Sequence, residues 1–293
     1  VATRTGASVR EALESAIDAL RAAGVEDPRL DAELLLAEAT GGSRANLVAD
    51  PGAEVPAAAG RRFGELVRRR LRREPVAYIL GRKGFRDLEL AVDRRVLVPR
   101  PETELLVELA VELEPASVLD VGTGSGAIAL AVAAELPGCA VTATDTSPAA
   151  LEVARANAER LGLADRVRFL GGTLPGDGEF DLVLANLPYV AERDWTSLQP
   201  EVTQWEPREA LLAGADGLDA YRTLFNRRVA ALSSMARQIG NSAGALLVAV
   251  EVGEGQAGAV SALMRESGFE QVEVRRDLAG IERVVVGRVG GAA

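Results

Sequence analysis

Three observations predict a doubly wound, mostly parallel α/β sheet with a small helical domain ahead of it. From Pro99 onward, short apolar runs rich in β-branched residues alternate with helical stretches, the rhythm of an open parallel sheet with helices on both faces. The first of these runs leads into Gly122-Thr123-Gly124-Ser125-Gly126, a glycine turn that lets backbone approach a ligand at a helix N-terminus. The first 74 residues show helical spacing only. The expected organisation is a helical domain over 1–74, a linking β-hairpin over 75–98 and the sheet domain over 99–293.

The N-terminal elements follow from local signals. Ser8 and Glu11 form a capping-box pattern, Val9, Leu13, Ile17 and Leu20 then fall on one face, and Gly24 ends the helix. Asp27-Pro28 supplies an N-cap and a first-turn proline for a second helix that packs through Leu30, Leu34 and Leu35 and stops at Gly41-Gly42. Residues 61–73 carry Phe63, Leu66, Val67 and Leu71 at helical spacing among seven arginines. This reads first as an amphipathic helix with a solvated arginine face and second as an RNA-facing patch. Alternation over Leu88 to Val92 after a glycine-containing approach predicts the hairpin. Seven strands are then expected at 117–120, 140–145, 167–170, 180–185, 245–251, 271–275 and 283–287, with helices between most of them, including 147–161 and 218–239.

Composition narrows the chemistry. There is no histidine, so the commonest general base, the usual zinc ligand and every Ser-His or Cys-His pair are excluded. The single cysteine, Cys139, permits no internal disulfide and reads as a small core residue. No metal site is expected. A net charge of −10 disfavours extended contact with a phosphate backbone. No apolar run approaches a membrane span and no charged leader precedes one, so a cytoplasmic protein without membrane attachment is expected.

The glycine turn by itself is ambiguous. Gly122, Gly124 and Ala127 satisfy the G-x-G-x-x-G/A dinucleotide pattern, and Asp145 lies downstream where a carboxylate binds ribose hydroxyls. An NAD-dependent dehydrogenase is therefore a competitor. Asp120, just before the glycines, would repel a pyrophosphate and attract an ammonium or sulfonium group. S-adenosylmethionine meets both demands, with hydroxyls for Asp145 and positive charge without phosphate. The plainer readings are a helix-capping carboxylate for Asp120 and a helix-entry turn for Asp145.

Directly after the fourth strand comes Asn186-Leu187-Pro188-Tyr189. In a doubly wound sheet that strand neighbours the glycine-loop strand, so Asn186 emerges beside the cofactor site. An amide or exocyclic-amine nitrogen is a poor nucleophile because its lone pair is delocalised. An acceptor pair, the Asn186 side-chain oxygen and a nearby backbone carbonyl, can orient such an NH2 group so that its lone pair faces a methyl carbon. Pro188 stiffens the loop and Tyr189 offers a flat surface to a planar group. The plainer reading is a strand-ending turn with a packed tyrosine.

Asn186 to Tyr189 resembles the Asn-Pro-Pro-Tyr motif of methyltransferases acting on planar NH2 nitrogens, and Asp120 to Gly126 resembles their adenosylmethionine loop. The block Glu74-Pro75-Val76-Ala77-Tyr78-Ile79-Leu80-Gly81, Phe85, then Val96-Leu97-Val98-Pro99-Arg100-Pro101-Glu102-Thr103-Glu104, resembles the release-factor glutamine methyltransferases, the HemK or PrmC family. Glu201-Val202, Glu206-Pro207-Arg208, Ala210-Leu211, Gly217-Leu218-Asp219 and Tyr221-Arg222 extend the resemblance.

The resemblance implies a Rossmann-like fold and methylation of the amide nitrogen of the Gly-Gly-Gln glutamine in class I peptide-chain release factors, with S-adenosyl-L-homocysteine as product. By motif, Asp120, Gly122, Thr123, Gly124, Ser125 and Gly126 would hold the methionine part and Asp145 the ribose. Thr173 would lie near the adenine. Asn186 and the carbonyl of Leu187 would accept the glutamine NH2 hydrogens, with Pro188 and Tyr189 beside them, and residues 99–104 would close over the site. The helical domain would meet the release factor.

Two departures stand out: Leu187 replaces the family's proline, and Gly171-Gly172-Thr173 replaces an acid-bearing turn. Asn-Leu-Pro-Tyr also resembles the motif of ribosomal-RNA adenine dimethylases, so an RNA or DNA amino-methyltransferase remains an alternative, as does a non-catalytic module that kept the fold.

Overall fold

The computed structural model describes residues 6–175, 178–226 and 246–289. These form two compact units. One contains the N-terminal residues to Arg82 together with Gln199–Trp205, and the other contains Lys83–Leu198 and the described residues from Glu206 onward.

The helical unit consists of α1 (Val9–Ala22), α2 (Pro28–Thr40), α3 (Arg44–Ala49), α4 (Ala57–Leu71), α5 (Val76–Leu80) and the inserted helix α9 (Pro200–Trp205). α1 begins with the predicted reciprocal capping box: Glu11 N donates to Ser8 Oγ, and Ser8 N donates to the Glu11 carboxylate. α2 departs from expectation. The Asp27 side chain makes no cap bond and Leu30 is exposed. Ala32, Leu35 and Leu36 form the buried stripe, flanked by the buried carboxylates Asp31 and Glu33.

The arginine face of α4 also departs from expectation. Arg70 is 6% exposed, its Nε lies 2.6 Å from Asp31 Oδ2 and its Nη2 2.6 Å from Glu201 Oε1. Arg73 pairs with Glu201 at 2.5 Å, and Arg69 with the buried Glu74. Arg61, Arg62, Arg68 and Arg72 remain exposed. Val76–Leu80, within the linking hairpin expected over 75–98, is instead the short helix α5, closed by Gly81 in the left-handed conformation.

The sheet unit opens with the hairpin β1 (Arg82–Phe85) and β2 (Leu88–Ala91), followed by α6 (Glu104–Leu113). Seven strands then build one sheet: β3 (Ser117–Val121), β4 (Ala140–Asp145), β5 (Val167–Gly171), β6 (Leu182–Ala185), β7 (Leu246–Glu251), β8 (Glu270–Arg276) and β9 (Glu282–Val289). Their order is β5-β4-β3-β6-β7-β9-β8, parallel from β5 to β7 and antiparallel on both sides of β9. This is the predicted Rossmann-like, seven-stranded, mostly parallel sheet.

α6 and α7 (Ala127–Glu135) pack with one apolar cluster, which also takes Phe85 and Leu90 of the hairpin. α10 (Asp219–Asn226) and α11 (Ala257–Glu266) pack with another through Tyr221, Phe225, Val260 and Met264. Central strands covered on both faces should be apolar throughout, and every residue of β3 and β6 is buried. Cys139 is buried as expected. Of the predicted helix 218–239, Asp219–Asn226 is observed, Leu218 precedes it, and residues 227–239, with Ala245 of the predicted fifth strand, lie outside the described residues. No helix among the described residues is long and apolar enough to cross a membrane.

Strand order and register position the site. β3 is flanked by β4 on one side and β6 on the other, so the chain reverses its winding direction there, the topological switch point at which such sheets bind ligands. Val121 pairs with Thr144 and with Ala185, and Ala185 in turn with Val250. The chain therefore leaves β3 at Gly122, β4 at Asp145, β6 at Asn186 and β7 at Glu251 on one edge.

Candidate active site

A cavity of about 490 Å³ opens at this edge, within the range of small-molecule sites. Its lining includes Gly122, Thr123, Gly124 and Ser125 of the glycine loop, Asp145 after β4, Thr173 after β5, and Asn186, Leu187 and Pro188 after β6. Pro99, Arg100 and Thr103 contribute from the segment ahead of α6.

The glycine loop is held by its own hydrogen bonds. Gly122 N and Thr123 N both donate to Thr144 O at 2.9 Å, Gly126 N donates to Thr123 O at 2.8 Å, and Gly124 N donates to Asp145 Oδ2 at 2.9 Å. Those four NH groups are not available to cradle a pyrophosphate, which weighs against a dinucleotide. Gly126 caps α7 at φ 86°, and a Cβ there would sit 2.9 Å from Leu130 Cδ1. A side chain at this position is blocked by both conformation and space.

Asp145 is half-buried. Its Oδ2 accepts Gly124 N and its Oδ1 accepts Ser147 N at 2.8 Å. The plainer reading of a helix-entry carboxylate is thus realised, but each oxygen keeps a second lone pair for a hydroxyl donor. Asp120 takes a different place from its loop neighbours. It is fully buried and does not line the cavity. Its Oδ2 accepts Thr123 Oγ1 at 2.6 Å and Ala129 N at 3.2 Å, tying the loop to the first turn of α7 from beneath, while its Oδ1 has no partner among the described residues. Burial pushes this carboxyl up to about 7, against the pull of the Thr123 and Ala129 bonds.

Leu187, which stands where the resembled motif has proline, is 9% exposed and belongs to the core cluster around Tyr221 and Phe225. It lies where a Cβ on Gly122 would be 3.4 Å from its Cδ2. Burial therefore supplies restraint that a proline ring would give through φ. Tyr189 is packed against the same cluster outside the cavity lining, and burial raises its phenol to about 12, with Glu251 adding to the effect. Its carbonyl accepts Gln256 Nε2 at 2.9 Å. Gly217, at φ 80°, is packed so closely beneath that a Cβ would overlap this carbonyl.

The Asn186 carboxamide is oriented by groups to which the sequence gave no individual role. Its Nδ2 donates to Thr103 Oγ1 at 2.9 Å, and Thr103 Oγ1 donates to Glu251 Oε2 at 2.6 Å. Thr103 is 4% exposed and Glu251 2%. Burial pushes Glu251 up to about 7, countered by the Thr103 bond. Arg100 on the cavity wall is paired at 2.6 Å with the buried Glu206, whose carboxyl burial raises and Arg100 pulls back. Asn157, fully buried, donates to Ala91 O and Ser125 O and accepts from Ala91 N, so it fastens the hairpin and the glycine loop to α8 (Pro148–Arg160). A threonine before a helix, a glutamate ending a strand and an asparagine within a helix all have ordinary local uses, so no signal in their neighbourhoods marks them.

Comparison with known proteins gives concordant results. Residues 11–81 match the PrmC N-terminal domain family and residues 118–205 a methyltransferase domain family. The release factor glutamine methyltransferase of Caulobacter vibrioides is 42% identical over 284 residues, covering 94% of this chain and 95% of its own. That of Geobacter sulfurreducens is 40% identical over 293 residues, covering 97% of each. Among solved structures, the hMettl16 catalytic domain in complex with MAT2A 3'UTR hairpin 6 aligns with a TM-score of 0.54 at 15% identity, over 68% of this chain and 74% of that one. This last likeness concerns the fold.

Proposed function

The chain belongs to the release factor glutamine methyltransferase family, and from that premise we propose that it methylates the N5 amide nitrogen of the glutamine in the Gly-Gly-Gln loop of class I peptide-chain release factors. The observation that carries this reading is Asn186 in the cavity wall beside the glycine loop, with its amide edge already committed to Thr103.

The residues present suit S-adenosylmethionine. Asp145 offers acceptor lone pairs for ribose hydroxyls at the end of β4. The loop between β3 and α7 faces the cavity with backbone, since a Cβ on Gly124 would meet nothing within 4 Å. Its internally bonded NH groups favour a cofactor without phosphate. When bound, that cofactor supplies an electrophilic methyl carbon on a sulfonium.

The remaining work falls to the chain's own groups. The Asn186 Oδ1, on the edge opposite Thr103, accepts one NH of the glutamine amide, and the backbone carbonyl of Leu187 accepts the other. Two acceptors hold the NH2 plane and aim the nitrogen lone pair, so alignment replaces a strong base. Tyr189, with its phenol at about 12, stays protonated and serves by packing. The amide nitrogen sheds its proton to water after the N–C bond forms. The acidic net charge of −10 conforms with a protein rather than a nucleic-acid substrate.

The test is mass spectrometry of a purified class I release factor incubated with this protein and S-adenosylmethionine. One methyl group on the Gly-Gly-Gln glutamine is expected. Asn186→Ala should lower its rate of formation by roughly 10²–10³-fold, the scale of losing one preorganised hydrogen-bond partner, while S-adenosylhomocysteine still binds. An unmethylated release factor, or an Asn186→Ala variant of wild-type activity, refutes the assignment.

A further inference from the structure

The side chains of Thr103 and Glu251 meet beside Asn186, Thr103 in the cavity wall and Glu251 outside its lining. Thr103 stands where the turn Pro101–Thr103 runs on into α6, with helical dihedrals of φ −65° and ψ −22°, and its hydroxyl makes no cap bond. The hydroxyl is turned instead between Asn186 Nδ2, at 2.9 Å, and Glu251 Oε2, at 2.6 Å. Glu251 is a carboxyl taken almost wholly out of water, at 2% exposure, an unfavourable place for a charge unless hydrogen bonds compensate it. One hydroxyl thus joins a buried carboxyl to the residue on which the chemistry depends.

We propose that Thr103 and Glu251 are positioning residues that set which edge of the Asn186 carboxamide faces the substrate. This inference rests on the glutamine-methylation reading above. A threonine hydroxyl has one proton. An ionised Glu251 accepts that proton, so only the oxygen lone pairs of Thr103 remain for Asn186, and they require a donor. Asn186 must then present Nδ2 to Thr103 and keep Oδ1 for the incoming NH2. A flipped amide would set two oxygens against each other without a proton between them, inside a buried site, and would offer the substrate nitrogen an NH2 group instead of an acceptor. Backbone restraint supports the arrangement: Tyr221 Oη donates to Glu251 O at 2.8 Å, and Thr103 N donates to Arg100 O. Protonation of Glu251 would release the Thr103 proton and with it the orientation. The charged and titratable groups acting around Glu251 are Glu102 and Arg100 from the turn before α6, Arg283 from β9, and the phenols of Tyr189 and Tyr221.

Steady-state methylation of the release factor by Thr103→Val and Thr103→Ser tests the relay, with S-adenosylhomocysteine affinity measured by calorimetry on the same proteins. Valine keeps the shape and loses the hydroxyl. It should lower kcat about tenfold or more, leave KM for the release factor within about threefold, and leave cofactor-product affinity unchanged. Serine restores the hydroxyl and should return kcat to within about threefold of the original. In a pH series, the acid limb of kcat near neutrality should flatten in Glu251→Gln.

A valine variant as active as the original overturns the relay alone, because the original chain still methylates. A serine variant as impaired as valine assigns the loss to packing and overturns it too. An acid limb that persists in Glu251→Gln removes Glu251 from it. If the original chain leaves the release factor unmethylated, the substrate reading itself fails, and the relay falls with it.

Discussion

Asp120 is fully buried, and a carboxyl so placed holds its proton tightly. Its folded-state value of about 7 lies above the ordinary 3.8. The stabilisation from the bound proton is therefore complete below about 3.8 and is lost as pH rises through about 7. Asp120→Asn removes this titration while keeping an oxygen for Thr123 and Ala129. Urea unfolding at pH 5 and pH 8 should show the variant gaining on the original protein at the higher pH, by on the order of a few kcal/mol. A gap independent of pH would mean that the carboxyl is ionised throughout. At this scale Gly122, Gly124 and the Asn-Leu-Pro turn singled out from the sequence fall in the cavity lining, because such patterns have few cheaper explanations. The sequence misled about how Asp120 acts: adjacency to the glycines suggested contact with the cofactor, whereas the strand turns that side chain under the loop.

At the scale of elements, α4 illustrates what periodicity can and cannot give. Phe63 and Leu66 are buried as their spacing implies. The same spacing cannot show that Arg70 lies on the buried flank, because its partners come from α2 and from a segment inserted much later in the chain. Burial raises Asp31 despite Arg70, whereas for Glu201 the Arg73 and Arg70 bonds outweigh burial and lower it. Arg70→Ala would strand the buried Asp31 and leave Glu201 with Arg73 alone, and the expected loss is about 3–5 kcal/mol. Arg68→Ala, on the exposed side, should stay within about 0.5 kcal/mol. Denaturant unfolding of the two variants decides between this network and a uniformly solvated arginine face, for which both losses would be small.

At the scale of the whole molecule, ligand binding to the sheet unit should appear as stability. S-adenosylhomocysteine at 100 times its dissociation constant stabilises a folded unit by about 2.7 kcal/mol. That corresponds to a rise of roughly 5–10 °C in the melting temperature of a unit this size. NAD at the same concentration should leave the transition in place, since four loop NH groups are already spent within the protein. The reverse result would reinstate the dehydrogenase reading. Calorimetric scans with each ligand separate the two.

The sequence alone determined the α/β class, the seven strands, the glycine loop, Asp145 and the Asn186 turn. Each of these is written in local code: period, turn chemistry or a short motif whose parts lie within one βαβ unit. Only the tertiary structure decided that Asp120 supports rather than lines the cavity, that Leu187 is restrained by burial, and that Thr103 and Glu251 meet beside Asn186. Those facts depend on which strands become neighbours and in which register, and register brings together residues from distant parts of the chain. No local pattern records the far partner of a buried hydroxyl or carboxylate, so hydrogen-bond direction at the site emerges only once the sheet has formed.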